Sequence, residues 1–127
     1  MAKVAYRRSS GDKKWQDVKR EVAARDMSCR LLKIATPQEM LLLRMRAGAL
    51  ITKLDPAHYL SVASRPELCY DPNNICLLNH YSHSLLDDFK NPITGVPINE
   101  IEVKYWWKRI LKGNPDQFKY LENKGLV

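Results

Sequence analysis

"LDPAHYLSVASRPELCYDPNNICLLNHYSHSLLDDF", residues 54–89, is the stretch on which the fold turns. With the preceding residues 51–53, its first part is rich in β-branched and apolar residues and reads as a strand broken at Asp55-Pro56 and ending near His58. "SRPELCYDPNN", residues 64–74, has two prolines and several turn formers, so it reads as a loop. "NICLLNHYSHSLLDDF", residues 74–89, reads as a helix, with Ile75, Leu78, Ser82, Leu85/Leu86 and Phe89 roughly on one side and Asn74 at its start. Residues 51–90 are therefore expected to form a β–β–α unit.

The same stretch carries the chemistry. Hydrolysing a phosphodiester requires a base to deprotonate water and a divalent ion to stabilise charge on the phosphate and leaving oxygen. A neutral histidine is a suitable base near pH 7. Carboxylates and imidazoles hold hard or borderline metals. His58 ends the expected strand, Asn74 follows 16 residues later, and His83 comes 9 residues after that. Asp87 lies at i+4 from His83, so the two side chains project from one helix face.

The flanks read as helices. From Lys13 to about Asp26, Trp15, Val18 and Val22 fall on one face, while Lys13, Lys14, Lys19, Arg20 and Arg25 lie elsewhere on the cylinder and can meet phosphates. Thr36, Pro37 and Glu39 carry the signature of a capped helix start, with Met40, Leu41, Leu43 and Leu50 as core candidates and Gly48 as a break. Asn99 opens another helix, with Ile101, Tyr105, one of Trp106 and Trp107, and Ile110/Leu111 facing the core. Asn114-Pro115 opens a last helix that ends near Gly125. One domain over residues 1–127 is expected, α+β in class, with a basic helical segment at 13–35 and C-terminal helices at 99–125.

Charge is uneven. Residues 1–53 carry 13 Lys/Arg against 5 Asp/Glu, whereas residues 54–127 carry 8 against 9. A basic half beside a nearly neutral one points to nucleic acid. No stretch approaches the apolar length of a membrane span, and the first residues have no apolar signal region. Three cysteines, Cys29, Cys69 and Cys76, without CxxC spacing argue against a disulfide framework and for reduced thiols in a cytoplasm. Cys69 and Cys76 are expected to be buried.

The order His58, Asn74, His83, within "NICLLNHYSH", resembles the HNH endonucleases, the ββα-metal or His-Me finger group, whose pattern runs roughly "DH…NLxxLCxxCH". "KWQDVKREVAARDMSCR", residues 14–30, is similar to the segment that precedes the finger in many phage and bacterial members: a Trp, a basic helix, then an Arg-Asp and a Cys-Arg, here "RDMSCR". The resemblance covers roughly residues 13–90, with a gap at the 36–50 helix, and leaves the C-terminal third outside. It implies that His58 is the general base, that Asn74 fixes the loop holding His58, and that His83 binds one divalent ion, Mg²⁺ with Mn²⁺ as a substitute. Arg65 would contact phosphate. His80 is open between surface residue, phosphate contact and extra ligand.

Two positions depart from the pattern. Asn79 and Ser82 stand where a zinc-binding subgroup keeps cysteines, so no structural zinc is expected. Ala57 replaces the aspartate that usually serves as metal ligand. Asp87 can take its place from the helix, as metal ligands are spaced in colicin-type DNases, or Asp55 can reach in from the strand; Asp87 is preferred. The resemblance thus implies a metal-dependent DNA endonuclease of phage or mobile-element type in a bacterial or phage-infected cytoplasm, with a homodimer and an RNA substrate both open. The competing readings are a non-catalytic nucleic-acid-binding module on a degenerate HNH scaffold, and a protein-interaction domain using Trp106 and Trp107.

Overall fold

In the computed structural model, which describes residues 12–127, the decisive stretch forms an antiparallel hairpin followed at once by a helix. Strand β1 (Leu54–His58) pairs with β2 (Ile75–Asn79), His58 opposite Ile75 and Leu54 opposite Asn79. Two short 3₁₀ turns, Pro66–Leu68 and Pro72–Asn74, shape the loop between them. The architecture is α+β, with the β–β–α unit set among helices as expected.

One boundary differs from the sequence reading. Residues 75–79 are strand, and the helix covers only His80–Asp87. The run Ile75-Cys76-Leu77-Leu78 is buried on both faces, and a short continuous apolar run fits a doubly covered strand as well as a buried helix. Asn79 starts the helix, its side chain accepting the Ser82 N–H, while Asn74 ends the turn before β2. Leu86 packs into the core; Phe89 does not, being half-exposed beyond the helix end.

The remaining elements surround the hairpin. They are α1 (Lys13–Asp26), α2 (Arg30–Ile34), α3 (Pro37–Ala47) with the 3₁₀ turn Gly48–Thr52, α4 (His80–Asp87), α5 (Glu100–Leu111) and α6 (Pro115–Asn123). Residues on β2 alternate by period two. Ile75 and Leu77 meet Trp15, Val18 and Val22 of α1. Cys76 and Leu78 face the larger core, with Leu31, Leu43, Trp107, Ile110 and Leu111. The expected capping box at Thr36/Glu39 forms, and Asn99 caps its helix as expected, with Glu102 completing a second box.

Some core assignments change. On α3, Leu43 and Ala47 are buried and Met40 partly so, but Leu41 is exposed, as is Leu50 in the following turn. On α5 both tryptophans are buried with Ile110 and Leu111, whereas Ile101 and Tyr105 face outward. Apolar residues lie on more than one side of this helix, and the side that packs is that of Trp106, Trp107, Ile110 and Leu111. Among the described residues no helix is long and apolar enough to cross a membrane.

A two-stranded sheet is marginal alone, and β2 is completed by side chains. Asp26 accepts the Leu77 N–H at 2.9 Å and Cys29 Sγ accepts the Asn79 N–H at 3.1 Å. Arg25 donates to the Ile75 carbonyl at 2.6 Å and to the Pro72 carbonyl at 2.8 Å. Spacing of three between Asp26 and Cys29 matches two residues along a strand edge, which gives "RDMSCR" a physical role. Asp26 also pairs with Arg25 and with the buried guanidinium of Arg30. Burial alone would raise the Asp26 pKa, but hydrogen bonds from Arg25, the Leu77 N–H and Arg30 outweigh it and hold the carboxyl below its ordinary value.

Candidate active site

His58 is the last residue of β1. Period two puts it on the sheet face covered by α1, where its ring stacks on Trp15 at 5.4 Å between centroids and 13° between planes. Nε2 lies 3.0 Å from the Cys69 carbonyl. A carbonyl only accepts, so Nε2 carries the proton and the neutral ring has its lone pair on Nδ1. Burial lowers the His58 pKa, as does nearby His83, while the Cys69 carbonyl and the Asp87 charge oppose the shift. The net effect keeps the ring neutral near pH 7, the form a general base needs.

Asn74 holds the loop that carries this geometry. Its Oδ1 accepts the Leu60 N–H at 2.8 Å, and its Nδ2 donates to the Leu60 and Leu68 carbonyls at 3.0 and 3.3 Å. Leu60 follows His58 by two residues and Leu68 precedes Cys69. One buried carboxamide thereby fixes both the chain after His58 and the carbonyl that orients its ring. Cys69, expected to be buried, is only partly so, with its thiol pKa raised by burial; Cys76 is fully buried and pushed up to about 11 by the same effect.

Asp55 and Asp87 both reach His83, through opposite ring nitrogens. Asp55 Oδ2 lies 3.0 Å from His83 Nδ1 and 2.6 Å from His80 Nδ1. Asp87 Oδ2 lies 3.3 Å from His83 Nε2. Burial alone would raise the Asp55 pKa; the hydrogen bonds and charges of His83 and His80 outweigh it, and the net direction is down. His83 thus lies between two carboxylates, Asp55 at Nδ1 and Asp87 at Nε2. A divalent ion held here would need the Nε2 lone pair, with Nδ1–H given to Asp55, and His83 Nε2 and Asp87 Oδ2, 3.3 Å apart, would be its ligands. Asp55 then has the place of the carboxylate that orients a ligating imidazole. Among the described residues, no three His, Cys, Asp or Glu side chains form a metal-binding group. Two protein ligands, His83 and Asp87, would suit a hard cation that keeps water and phosphate oxygens in its shell.

An open cavity of about 380 Å³ adjoins the site, lined by His58 and Asp87 and closed on one side by Glu100, Val103, Lys104 and Trp107 of α5. The C-terminal helix lies outside the sequence motif yet forms a wall of the cleft. Its only sequence signal is the spacing of 100, 103, 104 and 107 on one face.

The basic residues divide. Lys13, Lys14 and Arg20 are exposed on α1, Arg20 beside Asp17, with the Lys14 ammonium 4.6 Å from the Tyr70 ring centre. Lys19 lies over the Trp15 ring at 6.0 Å, next to His58. Arg65 stands in the loop, paired with Glu67 at 2.8 Å. Arg25 is reassigned: its guanidinium is taken up by Asp26 and by backbone carbonyls, so it ties α1 to β2 rather than facing phosphate. At the positions of the subgroup's zinc cysteines, Asn79 donates to Cys29 Sγ and to Ser82 Oγ, and Ser82 donates to the Pro92 carbonyl.

Comparison with protein-family models, with curated proteins and with solved structures gave no match to this chain.

Proposed function

We propose that the chain is a metal-dependent DNA endonuclease that hydrolyses phosphodiester bonds. The observation that supports this most is His58: a half-buried, neutral-leaning imidazole fixed by the Cys69 carbonyl, beside a helix pair, His83 and Asp87, suited to one divalent ion. In this reading His58 Nδ1 takes a proton from water as its oxygen attacks phosphorus and the bond to the leaving oxygen breaks. A divalent ion held by His83 and Asp87, Mg²⁺ or Mn²⁺, supplies charge stabilisation at the phosphate. Asp55 orients His83, Asn74 keeps His58 in register, and Lys13, Lys14, Lys19, Arg20 and Arg65 draw in the polyanion. Such an enzyme works in the cytoplasm of a bacterium or phage-infected cell, one cleft making one cut, so that a double-strand break takes two copies.

The test is cleavage of supercoiled plasmid in Mg²⁺ or Mn²⁺ by wild type and His58→Ala, with circular dichroism to check folding. Loss of a general base lowers the rate by about 10²- to 10⁴-fold. Wild type that binds DNA in a salt-sensitive way but never cuts it supports the non-catalytic binding module instead. A folded His58→Ala that cuts as well as wild type overturns the proposal.

A further inference from the structure

Besides His58, Asp87, Glu100, Lys104 and the hydroxyls of Ser61 and Ser64, the cavity is lined by apolar side chains, Leu60, Leu86, Val103 and Trp107 among them. Phe89 also lines it, and this ring is 52% exposed. Its backbone has φ 55°. The Phe89 N–H bonds to the Leu86 carbonyl at 3.2 Å and the Lys90 N–H to the Leu85 carbonyl at 2.8 Å, the pairing of a Schellman helix end. Glycine or asparagine normally occupies that left-handed position, and a bulky residue there is strained. Packing does not account for the phenylalanine, since half of it faces solvent. Conflict between local preference and the residue present concentrates at functional sites.

We propose that Phe89 is a stacking platform for an unpaired nucleobase of the strand being cut, so that the enzyme prefers single-stranded or locally unpaired DNA to continuous duplex. This rests on the endonuclease reading above. A cavity of about 380 Å³ is within the range of small-molecule sites and is continuous with the candidate base His58. A base in duplex keeps its faces stacked on its neighbours, whereas an unpaired base offers them to an aromatic ring without first being unstacked. Lys104, the one Lys or Arg on this lining among the described residues, is placed to meet the flanking phosphate, 3.6 Å from Glu100 in the free protein.

Three measurements test it: cleavage of matched single-stranded, bubble and duplex oligonucleotides; fluorescence of 2-aminopurine placed at successive positions in single strands bound to His58→Ala; and thermal midpoints. Wild type is expected to cut unpaired DNA faster than duplex, and one 2-aminopurine position to be quenched. Phe89→Gly is expected to lose the quenching, to slow cleavage of unpaired DNA by roughly 5- to 150-fold with less effect on duplex, and to keep or raise the midpoint, because glycine adopts φ 55° freely. Phe89→Trp, which keeps an aromatic face, is expected to retain the preference. Equal His58-dependent cleavage of all substrates, unchanged by Phe89→Gly, overturns the stacking role and leaves the endonuclease reading standing. A midpoint and both cleavage rates that fall together show a merely structural residue and overturn it too. If no DNA is cut at all, the endonuclease reading fails, and absence of quenching at every position then rejects stacking independently.

Discussion

Replacing Asn74 by alanine separates fold from positioning, because one buried side chain serves both. The substitution removes three hydrogen bonds, from the Leu60 N–H and to the Leu60 and Leu68 carbonyls. The site is 1% exposed, so water cannot simply replace the amide. A buried N–H left without a partner costs about 1–3 kcal/mol. The carbonyls lose less, and Leu68 O keeps its bond from the Asp71 N–H at 3.1 Å. The sum is about 2–4 kcal/mol, or a fall of roughly 8–16 °C in the midpoint at about 4 °C per kcal/mol for a domain of this size. A domain of ordinary stability remains folded at 20 °C after that loss. Released at Leu60 and Leu68, the loop lets the Cys69 carbonyl drift from His58 Nε2, and misplacement by about 1 Å can lower a rate by about 10²-fold. The assays are differential scanning calorimetry and single-turnover cleavage at 20 °C, per folded molecule. A lowered midpoint with unchanged cleavage refutes the positioning argument; an unchanged midpoint refutes the hydrogen-bond accounting itself.

Other consequences can be measured separately. Because the His58 pKa lies below its ordinary value, cleavage is expected to rise with pH through an inflection below about 6.5 and to be flat at neutrality; an inflection above that value, read from single-turnover rates, contradicts a neutral-leaning base. Asp26→Asn leaves the buried Arg30 without its counter-charge and is expected to cost about 3–5 kcal/mol in urea denaturation. The wild-type Asp26 pKa is depressed in the folded state, so its contribution is present above about 3.8 and disappears as pH falls through the lower folded value. The difference between wild type and Asp26→Asn should shrink in acid over that window, and a constant difference sinks the assignment. Asp55→Asn is expected to weaken Mn²⁺ binding by about 10- to 100-fold without abolishing it, measured by electron paramagnetic resonance titration, whereas Asp87→Asn removes a ligand and weakens it more. The reverse ranking exchanges the two roles.

What the sequence made legible was what short-range chemistry dictates. Thr36 with Glu39, and Asn99 alone, announce helix starts that form as read, the second with a capping box completed by Glu102. His83 and Asp87 share a face because the helical period requires it. The run at 75–78 was illegible as strand, because burial on both faces erases alternation. Asp55 depends on register: only pairing opposite Leu78 brings its carboxylate to the two imidazoles at the start of α4. The Cys69 carbonyl has no side-chain signature at all. Leu41 and Tyr105 misled because a helix with several apolar faces does not say which one its neighbours will cover.

The hairpin explains why the region before it matters to the site. Two strands alone leave β2 with an open edge, and an open edge neither holds register nor resists pairing with another chain. Asp26 and Cys29 take two N–H groups of that edge, and Arg25 with Gln117 takes the Ile75 carbonyl. These contacts fix the height of β2, and the register of His58 opposite Ile75 then fixes the base. At the other end of β2, Asn79 and Ser82 join Cys29 and the Pro92 carbonyl, which sets the helix carrying His83 against the same strand. His58 and the His83/Asp87 pair are thus referred to one five-residue strand from its two ends. A disturbance in the 25–30 segment, far from any phosphate, should therefore move His58 and His83 together, and its effect on cleavage should exceed its effect on DNA binding.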